Sequence, residues 1–262
     1  MAHRPAPGLD ADEELPRMSL LEHLEELRRR LLFSFIGVAV ALGACWVYVD
    51  PIFDLLEAPI KKHLPEGKKL AIFGVPDAFV LYFKVALLAA LFAAAPFLLY
   101  QLWCFIAPAL YRKEKGWALV FVLAGTLFFV SGGLFGYFVA SPFAIEFLLG
   151  IGQRFEPVIS VDRYLHFEMM VIGGLGLMFE LPLVIFALAQ MGVVTPRFLI
   201  RNFRWAVLII FILAAIVTPT PDVLNLMIFA LPTILLYLLG VAAAAMVGWR
   251  KRKSEERSAA AE

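Results

Sequence analysis

Cysteine and net charge are both scarce in this sequence. The 262 residues include only two cysteines and carry a formal net charge of +1. Two cysteines make a disulfide framework or a metal site unlikely. A near-neutral chain without a basic stripe does not resemble a nucleic-acid-binding protein. We therefore expect no resident metal, no cofactor and no nucleic-acid partner.

Apolar residues are abundant instead. They make up 62% of the chain, and the mean hydropathy is +0.84, well above the roughly half-apolar composition of soluble domains. Residues 1–17 are polar and proline-bearing, with no apolar core of the kind a signal peptide has. We interpret residues 1–17 as a disordered tail, 18–249 as a membrane domain and 250–262 as a charged tail.

Six apolar runs are candidate membrane spans, five of them close to or above the roughly 20 residues that a helix needs to cross the hydrocarbon core. They are residues 31–49, 80–104, 117–141, 167–191, 203–217 and 223–247. The sequence thus predicts an all-α polytopic membrane protein. An even number of spans places both termini on the same side.

The distribution of Lys and Arg predicts which side that is. Most of the 23 basic residues lie in the two tails and in the loops after the second and fourth spans. Cytoplasmic loops carry such an excess, so we expect both termini in the cytoplasm. This topology places Cys45 deep in the first span and Cys104 at the cytoplasmic end of the second, so we expect no disulfide between them.

The fifth run is short. Its 15 residues, 203–217, extend about 22 Å against a hydrocarbon core of about 30 Å. Either the helix continues into the preceding RFLIRNF or the bilayer thins locally.

Several local signals predict helix starts. Thr195-Pro196 and Thr220-Pro221 each place a capping hydroxyl before a proline, and Asp162 could cap the helix that leads into the fourth span. Segments 52–64 and 143–152 are amphipathic, which predicts helices along the outer membrane surface.

Glu180 lies near the centre of the fourth span. A carboxyl group there is costly unless it is protonated or partnered, and such residues are usually functional. The alternative is a neutral acid bonded to a backbone carbonyl freed near Pro182. Glu168, at the outer end of that span, is weaker support for a function.

Acidic and basic residues are mixed at two cytoplasmic ends of spans. Glu26 precedes the first span in HLEELRRRL, and Glu114 follows the second in YRKEK. Taken alone, each cluster fits a solvated helix surface with i, i+4 pairs such as Glu26–Arg30. Together, two interfacial carboxylates could bind guanidinium groups bidentately.

The sequence resembles the TatC family, the receptor subunit of the twin-arginine protein translocase. The residues that carry the resemblance are HLEELRRRL (23–31), EAPI (57–60), PFLLYQLWCFIAPALYRKEK (96–115), FELP (179–182) and TPTPDV (218–223). The resemblance covers about residues 23–249.

This resemblance implies a glove-shaped bundle of six helices with short fifth and sixth spans, in the cytoplasmic (inner) membrane. It also implies a receptor for twin-arginine signal peptides of folded cargo, driven by the proton-motive force and assembled with TatA, TatB and further copies of itself. By position, Glu26, Glu114, Arg28 and Phe105 match the family's signal-peptide site. Glu180, Pro59 and Asp222 match its other sensitive positions. Leu226 stands where many relatives carry a polar residue that docks partner helices, so the resemblance does not support that contact here.

Two other function classes fit the sequence less well. A secondary transporter could use Glu180 as its ion or proton site, but the chain shows no inverted repeat. An intramembrane protease would need a serine–histidine pair inside the spans, yet the four histidines lie at or beyond span ends and no HExxH is present. We therefore expect no enzyme activity.

Overall fold

The computed structural model describes residues 20–64, 70–106, 118–152, 158–218 and 222–259, with side chains described as far as Trp249. These residues are overwhelmingly helical, with one isolated bridge between Ala71 and Ser160. The helices are α1 Leu20–Val47, α2 Val49–Lys61, α3 Asp77–Ile106, α4 Ala118–Phe135, α5 Ser141–Ile151, α6 Val161–Phe179, α7 Leu181–Gln190, α8 Pro196–Arg201, α9 Phe203–Val217 and α10 Val223–Ala259, with a π-helical segment, Gly136–Ala140, between α4 and α5.

Five membrane-crossing helices of adequate length are present among the described residues. They are Leu21–Val47, Asp77–Ile106, Ala118–Ile151, Val161–Gln190 and Val223–Trp249, and the shorter Phe203–Val217 accompanies them. The predicted all-α, multi-pass architecture is therefore confirmed. Six crossings fit this set, with two of them built from consecutive helices: α4 with the π segment and α5, and α6 with α7.

The fifth span is short, as the sequence predicts. α9 covers only the 15 residues Phe203–Val217. The preceding residues do not extend it, because RFLIR belongs to the separate helix α8 and the chain bends at Asn202 (φ −98°, ψ 15°). Thr195 caps α8 as predicted, accepting a hydrogen bond from the amide of Phe198 at 3.2 Å.

The resemblance implies a short sixth span, and this expectation is wrong. α10 runs for 37 residues, of which Val223–Trp249 is a continuous apolar stretch of 27. Pro232 lies inside the helix without ending it. The reason is that no run of polar residues interrupts the apolar sequence before Trp249, so the helix continues.

Small residues allow the third and fourth spans to approach closely. Gly132 and Gly136 on one side face the backbone of Leu175, Val171 and Ile172 on the other. Close backbone contact at glycine is how membrane helices associate without a hydrophobic driving force. By contrast, α1 lies at the edge of the bundle, packs mainly on α3 and leaves most of its apolar side chains exposed, as expected for a lipid-facing helix.

The two predicted amphipathic segments are helical. Residues 52–61 of the first segment lie in α2, and residues 143–151 of the second lie in α5, which continues directly from the third span through the π segment. Asp162 does not cap α6. The helix begins at Val161 after Ser160, and the Asp162 carboxylate instead accepts a hydrogen bond from the Lys84 ammonium at 3.1 Å.

Candidate functional site

The candidate site lies where α1 begins and α3 ends. Packing of α1 against α3 brings Glu26 and Arg30 beside Gln101. The Arg30 guanidinium donates to Glu26 Oε1 and to Gln101 Oε1, each at 3.2 Å. Gln101 is 5% exposed, so a buried amide on α3 fixes the position of an arginine on α1. The predicted i, i+4 pair is thus present, and its carboxylate binds a guanidinium group.

An aromatic contact stands beside this pair. The His23 and Phe105 rings stack with their centroids 4.5 Å apart, so the start of α1 is held against the end of α3. Phe105 and Glu26 are therefore brought to the same end of the bundle, as expected for one site. Arg28 is exposed on α1, and the Arg29 guanidinium lies 5.7 Å from the centre of the Phe33 ring.

Glu114 falls in residues 107–117, outside the described residues. Its predicted proximity to Glu26 stays a prediction. The structure does show where this segment begins. It follows Ile106, the last residue of α3, which is next to Phe105, whose ring stacks on His23.

Glu180 occupies the junction between α6 and α7. It is the single residue between the two helices, the C-cap of α6 and the N-cap of α7, and its side chain makes no capping hydrogen bond. Both carboxyl oxygens are buried, without a hydrogen-bond partner among the described residues. The expected bond to a carbonyl near Pro182 is thus absent from this part of the chain. A buried acid without a partner is available to bind a polar group on another helix or to exchange a proton.

Glu168 lies deeper in the structure than its position in the sequence indicates. α6 begins at Val161, so Glu168 lies two turns inside the helix and is fully buried. Its carboxylate accepts a hydrogen bond from the Ser141 hydroxyl. Its burial and its contact with Ser141 distinguish Glu168 from a residue at the membrane surface, and both depend on packing between helices that are distant in sequence. Gln101 was missed for a related reason: a single amide in an apolar run has no periodicity to mark it.

Pro59 and Asp222 lie apart from the Glu26 site. Pro59 is buried inside α2, and its carbonyl lies 3.1 Å from Nδ1 of His63. Asp222 caps α10, because it accepts hydrogen bonds at 2.8 Å from the backbone amide and from the side-chain amide of Asn225. Thr220 and Pro221, predicted to start this helix, lie outside the described residues. Leu226 packs against the buried core around α10.

No group of three or more His, Cys, Asp or Glu residues that could hold a metal ion occurs in the part of the chain that the structure describes. Both cysteines are free thiols. The polar chemistry at the site therefore consists of carboxylate, guanidinium and amide groups, which suits binding of a charged partner.

Comparisons of the sequence and of the structure with known proteins all point to the same family. The sequence model of the family "Sec-independent protein translocase protein (TatC)" matches residues 22–232. A protein of that name from Koribacter versatilis is 40% identical over 97% of each chain. Its namesake from Aquifex aeolicus is 34% identical over 91% of this chain and 100% of its own. A crystal structure described as the twin arginine translocase receptor TatC superposes with a TM-score of 0.76 at 35% identity, covering 87% of this chain and 100% of that one.

Proposed function

Because this chain belongs to the TatC family of Sec-independent protein translocase proteins, we propose that it is the receptor for twin-arginine signal peptides and the core of the translocase. In this role it captures the signal peptide of a folded protein and passes that protein across the cytoplasmic membrane. The observation that carries the proposal is the binding of Arg30 by Glu26 and its neighbour Gln101, a guanidinium-binding site at the end of the bundle.

Glu26 and Glu114 bind the two consecutive arginines in this account. A carboxylate accepts two parallel N–H bonds from one guanidinium group, a geometry that lysine cannot reproduce. Arg28 and Phe105 complete the site, with the exposed Arg28 beside the peptide and Phe105 holding α1 against α3. The position of α3 supports this assignment, since the segment with Glu114 leaves α3 beside the His23–Phe105 stack.

The rest of the chain receives the apolar part of the peptide and the partner subunits. Both termini face the cytoplasm, as the Lys and Arg distribution predicts. Glu180 offers a buried carboxyl group with no hydrogen-bond partner among the described residues, and inside the membrane such a group would strongly attract a polar group of a partner helix. The partners are single-span subunits of the TatA and TatB type and further copies of this chain, and the proton-motive force drives transport.

The decisive experiment measures peptide binding to the full-length protein in detergent. We expect the Glu26→Ala, Glu114→Ala double variant to lose binding of an Arg-Arg signal peptide by at least about tenfold, because two charge-assisted pairs are removed. Glu25→Ala is the matched control, since it removes the same charge one residue away from an exposed position. Unchanged affinity in the double variant, with normal membrane insertion, would disprove the assignment of these glutamates.

A further inference from the structure

The contact between Arg30 and Glu26 has a consequence for how the site is regulated. We propose that Arg30 is an internal mimic of the signal-peptide arginine: it occupies Glu26 before a peptide binds, and the peptide must displace it. This inference rests on the proposed function, and it adds an autoinhibitory residue to that site. Arg30 thereby sets how tightly any peptide is held.

The geometry of the pair suits displacement. Arg30 reaches Glu26 through a single contact, Nη2 to Oε1 at 3.2 Å, and the two side chains keep 25% and 18% of their surface exposed. A partly exposed i, i+4 pair is weak. A guanidinium group arriving from solvent can instead make two parallel bonds to the same carboxylate. The peptide arginine can therefore bind the Glu26 carboxylate more strongly than Arg30 does.

Gln101 lowers the free-energy cost of displacing Arg30 from Glu26. When Glu26 turns to the peptide, Arg30 keeps its second bond, from Nη1 to Gln101 Oε1 at 3.2 Å. Without Gln101 the displaced charge would be left half-buried with no acceptor, which is costly. Arg30 Nε is already buried without a hydrogen-bond partner among the described residues. The arginine is thus incompletely bonded in its present position, and Gln101 stays its acceptor when Glu26 is released.

Competition of this kind makes a quantitative prediction. An internal competitor weakens every ligand of Glu26 by the same factor, whatever the ligand is. Removing Arg30 should therefore strengthen Arg-Arg and Lys-Lys peptides equally and leave their affinity ratio unchanged. Discrimination between arginine and lysine stays with the bidentate geometry at the carboxylate. With Arg30 present, a Lys-Lys peptide falls further below the affinity needed for capture.

The test compares Arg30→Gln with Arg29→Gln in full-length protein in detergent, by fluorescence anisotropy with labelled Arg-Arg and Lys-Lys signal peptides. Both variants remove one positive charge from the same helix, but Arg29 lies over Phe33. We expect Arg30→Gln to bind both peptides about two- to fivefold more tightly than Arg29→Gln does, the range of a weak i, i+4 ion pair. Equal or weaker binding by Arg30→Gln would overturn the proposal.

Two further variants separate this proposal from its alternatives. In a Glu26→Gln background, Arg30→Gln should have no effect on peptide affinity; a persisting gain would mean a general charge effect and would overturn the mimic. Gln101→Leu should weaken binding, because the displaced Arg30 then has no acceptor, and tighter binding would contradict that role. If Glu26→Gln alone leaves Arg-Arg binding intact, Glu26 is not the site and both proposals fail. If Glu26→Gln weakens peptide binding but Arg30→Gln does not change it, the proposed function stands and only the proposal for Arg30 is disproved.

Discussion

The Ser141 hydroxyl donates a hydrogen bond to the Glu168 carboxylate, and both side chains are fully buried. Ser141 is the first residue after the π-helical segment, and Glu168 lies on α6. A π-helical turn often marks a position where a side chain must be redirected. This polar contact therefore ties the irregular part of the third span to the fourth, at the end of the bundle opposite Glu26.

Removing the Ser141 hydroxyl should destabilise the bundle. In Ser141→Ala the Glu168 oxygen stays buried and loses its donor, which costs about 1–3 kcal/mol. Ser131→Ala is the control, because the Ser131 hydroxyl donates to a carbonyl of its own helix, that of Phe128, and not to another helix among the described residues. Thermal unfolding in detergent should show a lower midpoint for Ser141→Ala alone. Equal midpoints would show that the buried contact contributes nothing to stability.

Close approach of the third and fourth spans predicts a second stability effect. A Cβ atom at Gly132 would lie 2.5 Å from the backbone oxygen of Leu175, so Gly132→Ala should push the helices apart at about 1–3 kcal/mol. Gly43→Ala meets nothing within 4 Å and should be neutral or slightly stabilising, since alanine favours the helix. Chemical unfolding in mixed micelles compares the two. A stable Gly132→Ala protein would refute the packing.

An ion pair on α2 predicts a pH dependence. The Lys61 ammonium lies 2.8 Å from the Glu57 carboxylate, and the hydrogen bond to Glu57 raises the pKa of Lys61 above its usual value, with a smaller contribution from Asp54. Because the pKa is higher in the folded chain, the pair's contribution is present below the ordinary lysine pKa. It is lost as the pH rises through the raised pKa.

Glu57→Gln should therefore shift the midpoint pH for acylation of Lys61 downward. Mass spectrometry of peptides labelled with an amine-reactive reagent across the alkaline range measures this midpoint, with Lys62 in the same peptide reporting the intrinsic rate. An unshifted midpoint would show that Glu57 does not hold the Lys61 proton.

Glu180 should be dispensable for folding and required for transport. Its oxygens have no partner among the described residues, so Glu180→Gln breaks no hydrogen bond in that part of the chain and keeps a polar side chain of similar size. We expect an equal or higher unfolding midpoint together with reduced export of a twin-arginine cargo in cells that carry only the variant. Normal export would remove Glu180 from the mechanism, whereas a loss of stability would indicate an unseen structural partner.

The sequence alone was sufficient to predict the membrane-spanning helices and some of the residues at which helices begin or end. Long apolar runs are unambiguous in a membrane protein, so the crossing helices, the 15-residue α9 and the Thr195 cap could all be predicted. The sixth span was expected to be short only because of the resemblance, whereas its own apolar run already extended from 223 to 247. In that case local sequence was the better guide than analogy.

Contacts between helices distant in sequence could not be predicted. Ser141 and Glu168 are joined by the fold, and Gln101 meets Arg30 only because α3 packs on α1. The π segment has no sequence signature in GYFVA. Asp162 shows the same limit, since a first-turn aspartate is compatible both with a cap and with the ion pair it makes with Lys84.

Site-specific photocrosslinking tests the central claim most directly. A photoreactive residue replaces Leu27, beside Glu26, or Lys115, beside Glu114, and the lipid-facing position Leu127, 70% exposed, serves as the control. The account predicts crosslinks from positions 27 and 115 to an Arg-Arg signal peptide, a marked loss with Lys-Lys, and none from 127. Equal crosslinking to both peptides, or none at positions 27 and 115, would contradict it.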